Sequence, residues 1–389
     1  MVAAARRTRA GVLGVLVVSI AGVAASVSGA GGFARAAPTR PCARPDLVLS
    51  VPAAYTFATI GDFGNFAATG RIASTITGWN PAYIVTVGDN GYNPDATSDG
   101  AGGFIWSGSL IDNSIGQWFS GYIGNYRGAF GGGPAPARAS RFFPALGNHD
   151  WDGSPGGAVW TNLPYRSYFT LPGNERYYSV RAGAVQFFVI DSDPRSPGNG
   201  SQYEVDGVSA TSTQAIWLRD HLADSDATFK IVVFHHPPYT SSPRGSNVVL
   251  QWPFAAWGAS IVLTGHEHNY ERLSGPGGLS YVITGNGGNT LTNSFPSNPA
   301  PAVSQLRIGD RNGALRLDVT PTQLTLTAMG QLASNASAPF VAIDQFNVAP
   351  APVLAPNPDC SAPPGTTVPS TGRLVATVTE GADRLGPVP

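Results

Sequence analysis

Short apolar runs, each closed by a polar turn, recur along this chain. Tyr55-Thr56-Phe57-Ala58-Thr59-Ile60 reads as a buried strand running into Gly61-Asp62-Phe63-Gly64. Tyr83-Ile84-Val85-Thr86-Val87 reads as the next, running into Gly88-Asp89-Asn90-Gly91-Tyr92. Residues 67–78, rich in Ala, Ile and Thr, form the expected helix between them. Strand, helix and strand at that spacing make a parallel unit. In open α/β sheets the chemistry sits beyond the carboxyl ends of the strands, where Asp62 and Asp89 both fall.

The rhythm continues downstream. A helix is expected over 114–122, between a Gly/Ser-rich loop at 97–109 and a Gly/Pro/Ala-rich loop at 128–140. Phe142-Phe143-Pro144-Ala145-Leu146 is a strand ending in Gly147-Asn148-His149-Asp150, and a hairpin follows over 177–180 and 185–191. Thr213 to Leu222 is an amphipathic helix with Ile216, Trp217, Leu218 and Leu222 as its apolar positions. Lys230-Ile231-Val232-Val233-Phe234 ends in His235-His236-Pro237. The run Ala259-Ser260-Ile261-Val262 leads through Leu263-Thr264 to Gly265-His266-Glu267-His268. A strand at 281–284, a hairpin over 314–319 and 323–327 and a last strand at 341–348 complete the pattern, without internal repeats.

Composition narrows the classes. The 389 residues are 42% hydrophobic and 12% charged, with 48 Gly and 33 Pro, which favours a loop-rich fold with a sizeable core. A formal net charge of -1 leaves no electrostatic footprint for nucleic acid or for an anionic membrane. Arg6, Arg7 and Arg9, then the apolar run Gly11 to Ala25 and the small-x-small site Ala34-Arg35-Ala36, read as a cleaved secretion signal over 1–37. The Arg6-Arg7 pair admits export of a prefolded, metal-loaded protein, although Ala5 and Thr8-Arg9-Ala10 match such a signal poorly. The expected organisation is then a lead-in at 38–50, a catalytic domain at 51–349 and a disordered Pro/Ala-rich tail at 350–389. The two cysteines, Cys42 and Cys360, flank the folded region and are expected to form one disulfide in an exported chain.

The candidate chemistry lies at five strand ends, which carry Asp62, Asp89 with Tyr92, Asn148-His149, His235, and His266 with His268. A strand ending in Gly-His-x-His sends two imidazoles to one side, because residues two apart in extended backbone point the same way. Asp89 has two carboxylate oxygens and can bridge two ions, Asp62 adds anionic oxygen, Asn148 a carbonyl oxygen, and the histidines ring nitrogen. Such a set suits a pair of metal ions roughly 3.5 to 4 Å apart.

With these motifs in order, the chain resembles the calcineurin-type metallophosphoesterases and, within them, is similar to the purple acid phosphatases. The pattern Gly-Asp-x-Gly, Gly-Asp-x-x-Tyr, Gly-Asn-His-Asp, a strand-end His and Gly-His-x-His runs through residues 55–348. The resemblance implies an α/β fold, a four-layer α/β/β/α metallophosphoesterase sandwich of two mixed sheets flanked by helices. It implies Fe(III) on Asp62, Asp89, Tyr92 and His268, and a divalent Fe, Zn or Mn on Asp89, Asn148, His235 and His266. The implied activity is hydrolysis of a small phosphate monoester by a metal-bound hydroxide, with His149 donating to phosphate or protonating the leaving oxygen. Compact family members often place a second catalytic histidine several residues after the strand-end His, and Arg244 stands there instead. Arginine cannot act as a general acid near neutral pH but can grip phosphate with its fork. His236 is then an alternative donor. A phosphodiesterase or nucleotidase on the same scaffold is the competing reading, with the loops at 97–109 and 195–208 shaping an open groove. A non-enzymatic phosphate-binding or surface-interaction protein would have lost a ligand, and none is lost. The physiological substrate is not written in these motifs.

Overall fold

A computed structural model of the chain describes residues 42–92, 97–98, 104–105, 108–131, 140–151, 163–195, 204–354 and 376–377. The expected signal at 1–37, Cys360 and most of the expected tail lie outside the described residues. In chain order the strands are β1 (Leu47–Leu49), β2 (Tyr55–Ile60), β3 (Ile84–Thr86), β4 (Thr97–Ser98), β5 (Phe104–Ile105), β6 (Phe142–Pro144), β7 (Tyr178–Ala182) and β8 (Val185–Val189). They continue as β9 (Phe229–Val233), β10 (Ile261–Thr264), β11 (Tyr270–Ser274), β12 (Ser280–Thr284), β13 (Val303–Ile308), β14 (Arg311–Val319), β15 (Leu324–Leu332), β16 (Val341–Val348) and β17 (Ala376–Thr377). The helices are α1 (Ala67–Gly78), α2 (Gly108–Ile111), α3 (Gln117–Phe119), α4 (Asn148–Trp151), α5 (Pro164–Tyr168) and α6 (Thr213–Asp224).

Two mixed sheets carry the fold. One has six strands in the order β16-β15-β14-β2-β3-β6, the other nine in the order β13-β11-β12-β10-β9-β8-β7-β1-β17, and β4 and β5 form a separate pair. Within each large sheet the central strands run parallel: β2, β3 and β6 in the first, β8, β9, β10 and β12 in the second. Strands covered on both faces read as continuous apolar runs, which is why these segments showed no alternation in the sequence.

The two-residue period of the β backbone sorts their side chains into layers. Phe187, Val189, Ile231, Val233, Ile261 and Leu263 face the six-stranded sheet in one core, where Phe187 meets Tyr83 at 5.4 Å and Phe143 at 5.3 Å between ring centroids. Phe188, Ile190, Val232, Phe234 and Val262 face the other way and pack with Ala215, Leu218 and Leu222 of α6. Helix α1 buries Ile72, Ala73 and Ile76 in the first core. The order is therefore helix, sheet, sheet, helix. Ser212 caps α6, its Oγ accepting from the Ala215 amide at 3.2 Å, which satisfies one of the free N–H groups of the first turn.

Several elements differ from the sequence reading. Leu47–Leu49, within the expected lead-in, is a strand parallel to β7, held by the burial of Leu47 and Leu49. The helix expected at 114–122 begins at Gly108 and passes through a π-helical turn, Asp112–Gly116, where Asp112 accepts from the hydroxyls of Tyr126 and Tyr168. Asn148–Trp151 is a helical turn that immediately follows its strand end. Strand β11 went unread because its charged residues are taken up in partnerships: buried Glu271 accepts from the Ser241 amide at 2.9 Å and Arg272 pairs with Asp344 at 2.6 Å. Ala351 donates to Thr228 O at 2.8 Å, so the chain still follows the fold just past the expected domain boundary.

Cys42 is disulfide-bonded, and the chain has two cysteines in all. Denatured, unreduced protein should show no titratable thiol. Cys42→Ser should lower unfolding stability by about 2–4 kcal/mol, as expected for a bond closing a long loop. Two thiols in that titration would show that the ends are not tied.

Candidate metal centre

Parallel neighbours deliver their ends to the same edge of a sheet. Asp62 and Asp89 therefore leave the six-stranded sheet side by side after β2 and β3, and His235 and His266 leave the nine-stranded sheet side by side after β9 and β10. The backbone turns sharply at three of these residues: Asp62, Asp89 and His266 have φ of 54°, 49° and 67°. Left-handed backbone costs a non-glycine residue of order 1–3 kcal/mol, and Asp and His adopt it more readily than most. The surrounding fold holds three such residues at one place, a pattern found where geometry serves chemistry. Glycines make room for the carboxylates. A Cβ on Gly147 would lie 2.2 Å from the Asp89 amide N and Oδ1, and one on Gly265 would lie 2.5 Å from Asp62 Oδ2.

Two groups of ligand atoms result. In the first, Tyr92 OH lies 3.5 Å from Asp62 Oδ1 and 3.3 Å from His268 Nε2, and His268 Nε2 lies 3.4 Å from Asp62 Oδ1. In the second, Asn148 Oδ1 lies 3.1 Å from His235 Nε2 and 3.0 Å from His266 Nδ1, and those two nitrogens are 3.3 Å apart. Asp89 Oδ2 belongs to both, accepting from Tyr92 OH and lying 3.2 Å from His235 Nε2. Its other oxygen accepts from the His149 amide at 2.8 Å.

The orientation of the rings follows from what lies behind them. His235 Nδ1 is 2.9 Å from Val87 O and His268 Nδ1 is 2.8 Å from Thr290 O. A carbonyl oxygen only accepts, so each Nδ1 carries a proton and each Nε2 faces the carboxylates, free to take either a second proton or a cation. Lone pairs of Asn148, His235, His266 and Asp89 thus converge with too few protons between them. Positive charge has to fill the gap. Burial would lower His235, but the Asp89 and Asp62 carboxylates raise it to about 9. Burial opposes a charged His268 as well, and its hydrogen bond and attraction to Asp62 raise it. Burial would raise Asp89, yet His235 and His149 hold it well below the usual carboxylate range. His266 is pushed well below its ordinary value by burial and by its histidine neighbours, which keeps its ring neutral. Buried oxygens and neutral or proton-hungry nitrogens arranged this way fit a pair of metal ions. Asp62, Asp89 and His235 offer ligand atoms within 4.8 Å of one another.

The remaining predicted residues border this cluster. The His149 ring lies 4.6 Å from the Tyr92 ring, centroid to centroid. His236 lies 4.5 Å from His266 by the same measure. Arg244 is half exposed, its Nη1 donating to His266 O at 2.9 Å and lying 3.4 Å from Glu267 Oε2, while Glu267 itself is buried. The loops at 97–109 and 195–208 lie partly outside the described residues.

Sequence reasoning missed several supports. Asp150 accepts from the Gly147 amide at 2.7 Å and from Asn90 N and Nδ2 at 3.1 and 2.9 Å, tying two motif loops together. Burial and the nearby Asp89 charge raise it to about 7. Arg195 donates to Asn148 O at 2.6 Å and pairs with buried Asp193. Ser192 accepts from the amides of His235 and His236. A signal for Ser192 existed, since Ile190-Asp191-Ser192 is also a strand end, on the neighbour of the strand that carries His235.

Residues 55–270 match the family of calcineurin-like phosphoesterases, and the chain belongs to it. Within that hydrolase family it is similar to known acid phosphatases. Tartrate-resistant acid phosphatase type 5 of Oryctolagus cuniculus is 31% identical over 126 residues, 30% of this chain and 38% of the relative. Purple acid phosphatase 15 of Arabidopsis thaliana is 26% identical over 268 residues, 62% of this chain and 47% of the relative. The chain therefore spans less than half the length of these two relatives. Human tartrate-resistant acid phosphatase type 5 is 22% identical over 62% of this chain and 76% of its own length. A solved structure titled as GAP50, the anchor in the inner membrane complex of Plasmodium, shares the fold with a TM-score of 0.54 and 16% identity, over 79% of this chain and 92% of its own.

The close approach of Gly147 to Asp89 makes a direct test of the site's rigidity. Gly147→Ala should destabilise the metal-free protein by about 1–3 kcal/mol, the usual cost of overpacking. A urea midpoint unchanged from wild type would show that the Asp89 turn moves freely.

Proposed function

We propose that the chain is an exported, dinuclear-metal phosphatase of the purple acid phosphatase type, hydrolysing small phosphate monoesters. The observation that carries this reading is the position of Asp89 Oδ2, common to a Tyr/His/Asp group on one side and an Asn/His/His group on the other. Asp62, Asp89, Tyr92 and His268 would hold one ion, Fe(III), and Asp89, Asn148, His235 and His266 a divalent Fe, Zn or Mn. When bound, such a pair supplies Lewis acidity toward a phosphoryl oxygen and lowers the pKa of water from 15.7 to about 7.

The chain's own residues supply the rest. Arg244 is anchored through Nη1, which leaves Nε and Nη2 as a fork for phosphoryl oxygens. His149, whose amide is fixed on Asp89, donates from its ring to the phosphate or to the leaving oxygen. Burial and the Asp89 and Asp62 carboxylates raise the Tyr92 phenol well above its ordinary value, so a cation held there would displace its proton. A phenolate is a hard anionic donor, which suits a trivalent ion on the tyrosine side. Export is supported by the disulfide at Cys42 and by the signal pattern at 1–37.

Asp89→Ala should abolish turnover and release both metals, read by metal analysis beside monoester and diester assays. His149→Ala should keep both metals and lower the rate roughly 10²- to 10⁴-fold. A metal-free His149→Ala protein would move His149 among the ligands, and faster diester than monoester turnover by wild type would replace the substrate class.

Tyr92→Phe removes one oxygen and keeps the ring. Iron-loaded wild type should show a pink to violet charge-transfer band from the phenolate, and the variant should lose it while folding normally. Colourless wild type with ferric iron in the site would exclude Tyr92 as a ligand.

A further inference from the structure

His236 is adjacent to a proposed ligand and packed against two others, yet its surroundings assign it a different task. Its Nδ1 lies 3.0 Å from Ser192 Oγ. That same oxygen accepts from the His235 amide at 3.2 Å and from the His236 amide at 2.9 Å. A hydroxyl has two lone pairs and one proton. Both lone pairs are engaged by amides, so the proton goes to His236 Nδ1. The ring is then protonated on Nε2 in its neutral form.

His235 and His268 are built the opposite way. Each faces a backbone carbonyl through Nδ1, so the proton is on Nδ1 and the lone pair on Nε2. Nitrogen atoms of His235, His236 and His266 lie within 4.8 Å of one another, close enough for three-histidine coordination. Ser192 argues against it. With the Ser192 hydroxyl proton donated to Nδ1 and the ring's own proton on Nε2, coordination through Nε2 would require an imidazolate anion in a buried site.

We propose that Ser192 fixes His236 in the tautomer protonated on Nε2, making it a neutral hydrogen-bond donor to the phosphoryl group rather than a metal ligand. The inference rests on the phosphatase reading and adds Ser192 as its positioning residue. The ring is 8% exposed and lies 4.5 Å from the His266 ring, centroid to centroid, beside the second group of ligand atoms. Because Nδ1 accepts the Ser192 proton it carries none of its own, so the ring is neutral and donates through Nε2. A phosphate bound there would meet the Arg244 fork and this N–H together.

Two measurements test the proposal, one of them independent of turnover. In zinc-loaded protein labelled with 15N-histidine, two-bond 15N–1H spectra resolve the chain's 6 imidazoles. They should place the His236 proton on Nε2 and leave Nδ1 bare. Calorimetric titration with inorganic phosphate should show binding weakened roughly 10- to 100-fold in His236→Ala, the loss expected for a hydrogen bond to a charged group. His236→Gln restores an N–H of similar reach and should recover most of that affinity, and both variants should keep full metal content. Ser192→Ala should move the His236 proton and weaken phosphate binding together. A proton on Nδ1 of wild-type His236, metal loss in His236→Ala, or unchanged phosphate affinity in that variant would overturn the proposal. Failure of the phosphatase reading would appear separately, as metal-loaded wild type that binds phosphate but turns over no ester.

Discussion

One buried carboxylate holds this site together. Asp89 is 1% exposed and meets a tyrosine hydroxyl, an imidazole and a backbone amide with its two oxygens. An ionised carboxylate in such a place is tolerated only when opposite charge and hydrogen bonds surround it. Every other feature of the cluster supplies one or the other. His235 and His149 provide charge and Tyr92 and the His149 amide provide hydrogen bonds, in the room left by the turn at Gly147. Removal of that carboxylate would leave the two halves of the cluster facing each other without a common anion.

The sheets explain why the arrangement stays in place. Three residues in left-handed conformation would relax if their flanking backbone could move. It cannot easily do so, because each follows a strand paired on both sides and buried on both faces. Tyr83, Phe143 and Phe187 join the two sheets across the core, so the edge bearing Asp62 and Asp89 keeps a fixed distance from the edge bearing His235 and His266. Hydrophobic packing between the sheets therefore sets the spacing of polar atoms at their rim. Local strain of a few kcal/mol is held by a core that buries dozens of side chains.

Much of this was legible in the sequence for a local reason. A strand end and its turn occupy fewer than ten consecutive residues, so Gly-Asp-x-x-Tyr or Gly-His-x-His can be recognised without knowing what lies across from it. What the sequence concealed depends on register. Ser192 matters because β8 pairs in parallel with β9, Val189 opposite Val233, which brings its end beneath His235 and His236. Glu267 sits between two histidines in plain view, but its partner Arg244 is 23 residues away and meets it only after β10 and the loop following His236 fold together. Strands β11 and β13 escaped notice because their polar residues are buried in pairs or line an edge, and alternation alone does not separate either case from a loop.

The same logic governs the histidines, which are identical in the sequence and unlike in the structure. What decides the behaviour of each ring is the atom behind it. A carbonyl can only receive a proton bond, and it turns His235 and His268 into lone-pair donors. A hydroxyl already accepting two amides can only give its proton, and it turns His236 into a proton donor. Adjacent residues on one turn thus acquire opposite polarity, His235 from the Val87 carbonyl and His236 from the Ser192 hydroxyl. Gly-His-x-His and His-His motifs therefore report where imidazoles converge, whereas the carbonyl or hydroxyl facing Nδ1 of His235, His268 and His236 sets which ring nitrogen carries the proton.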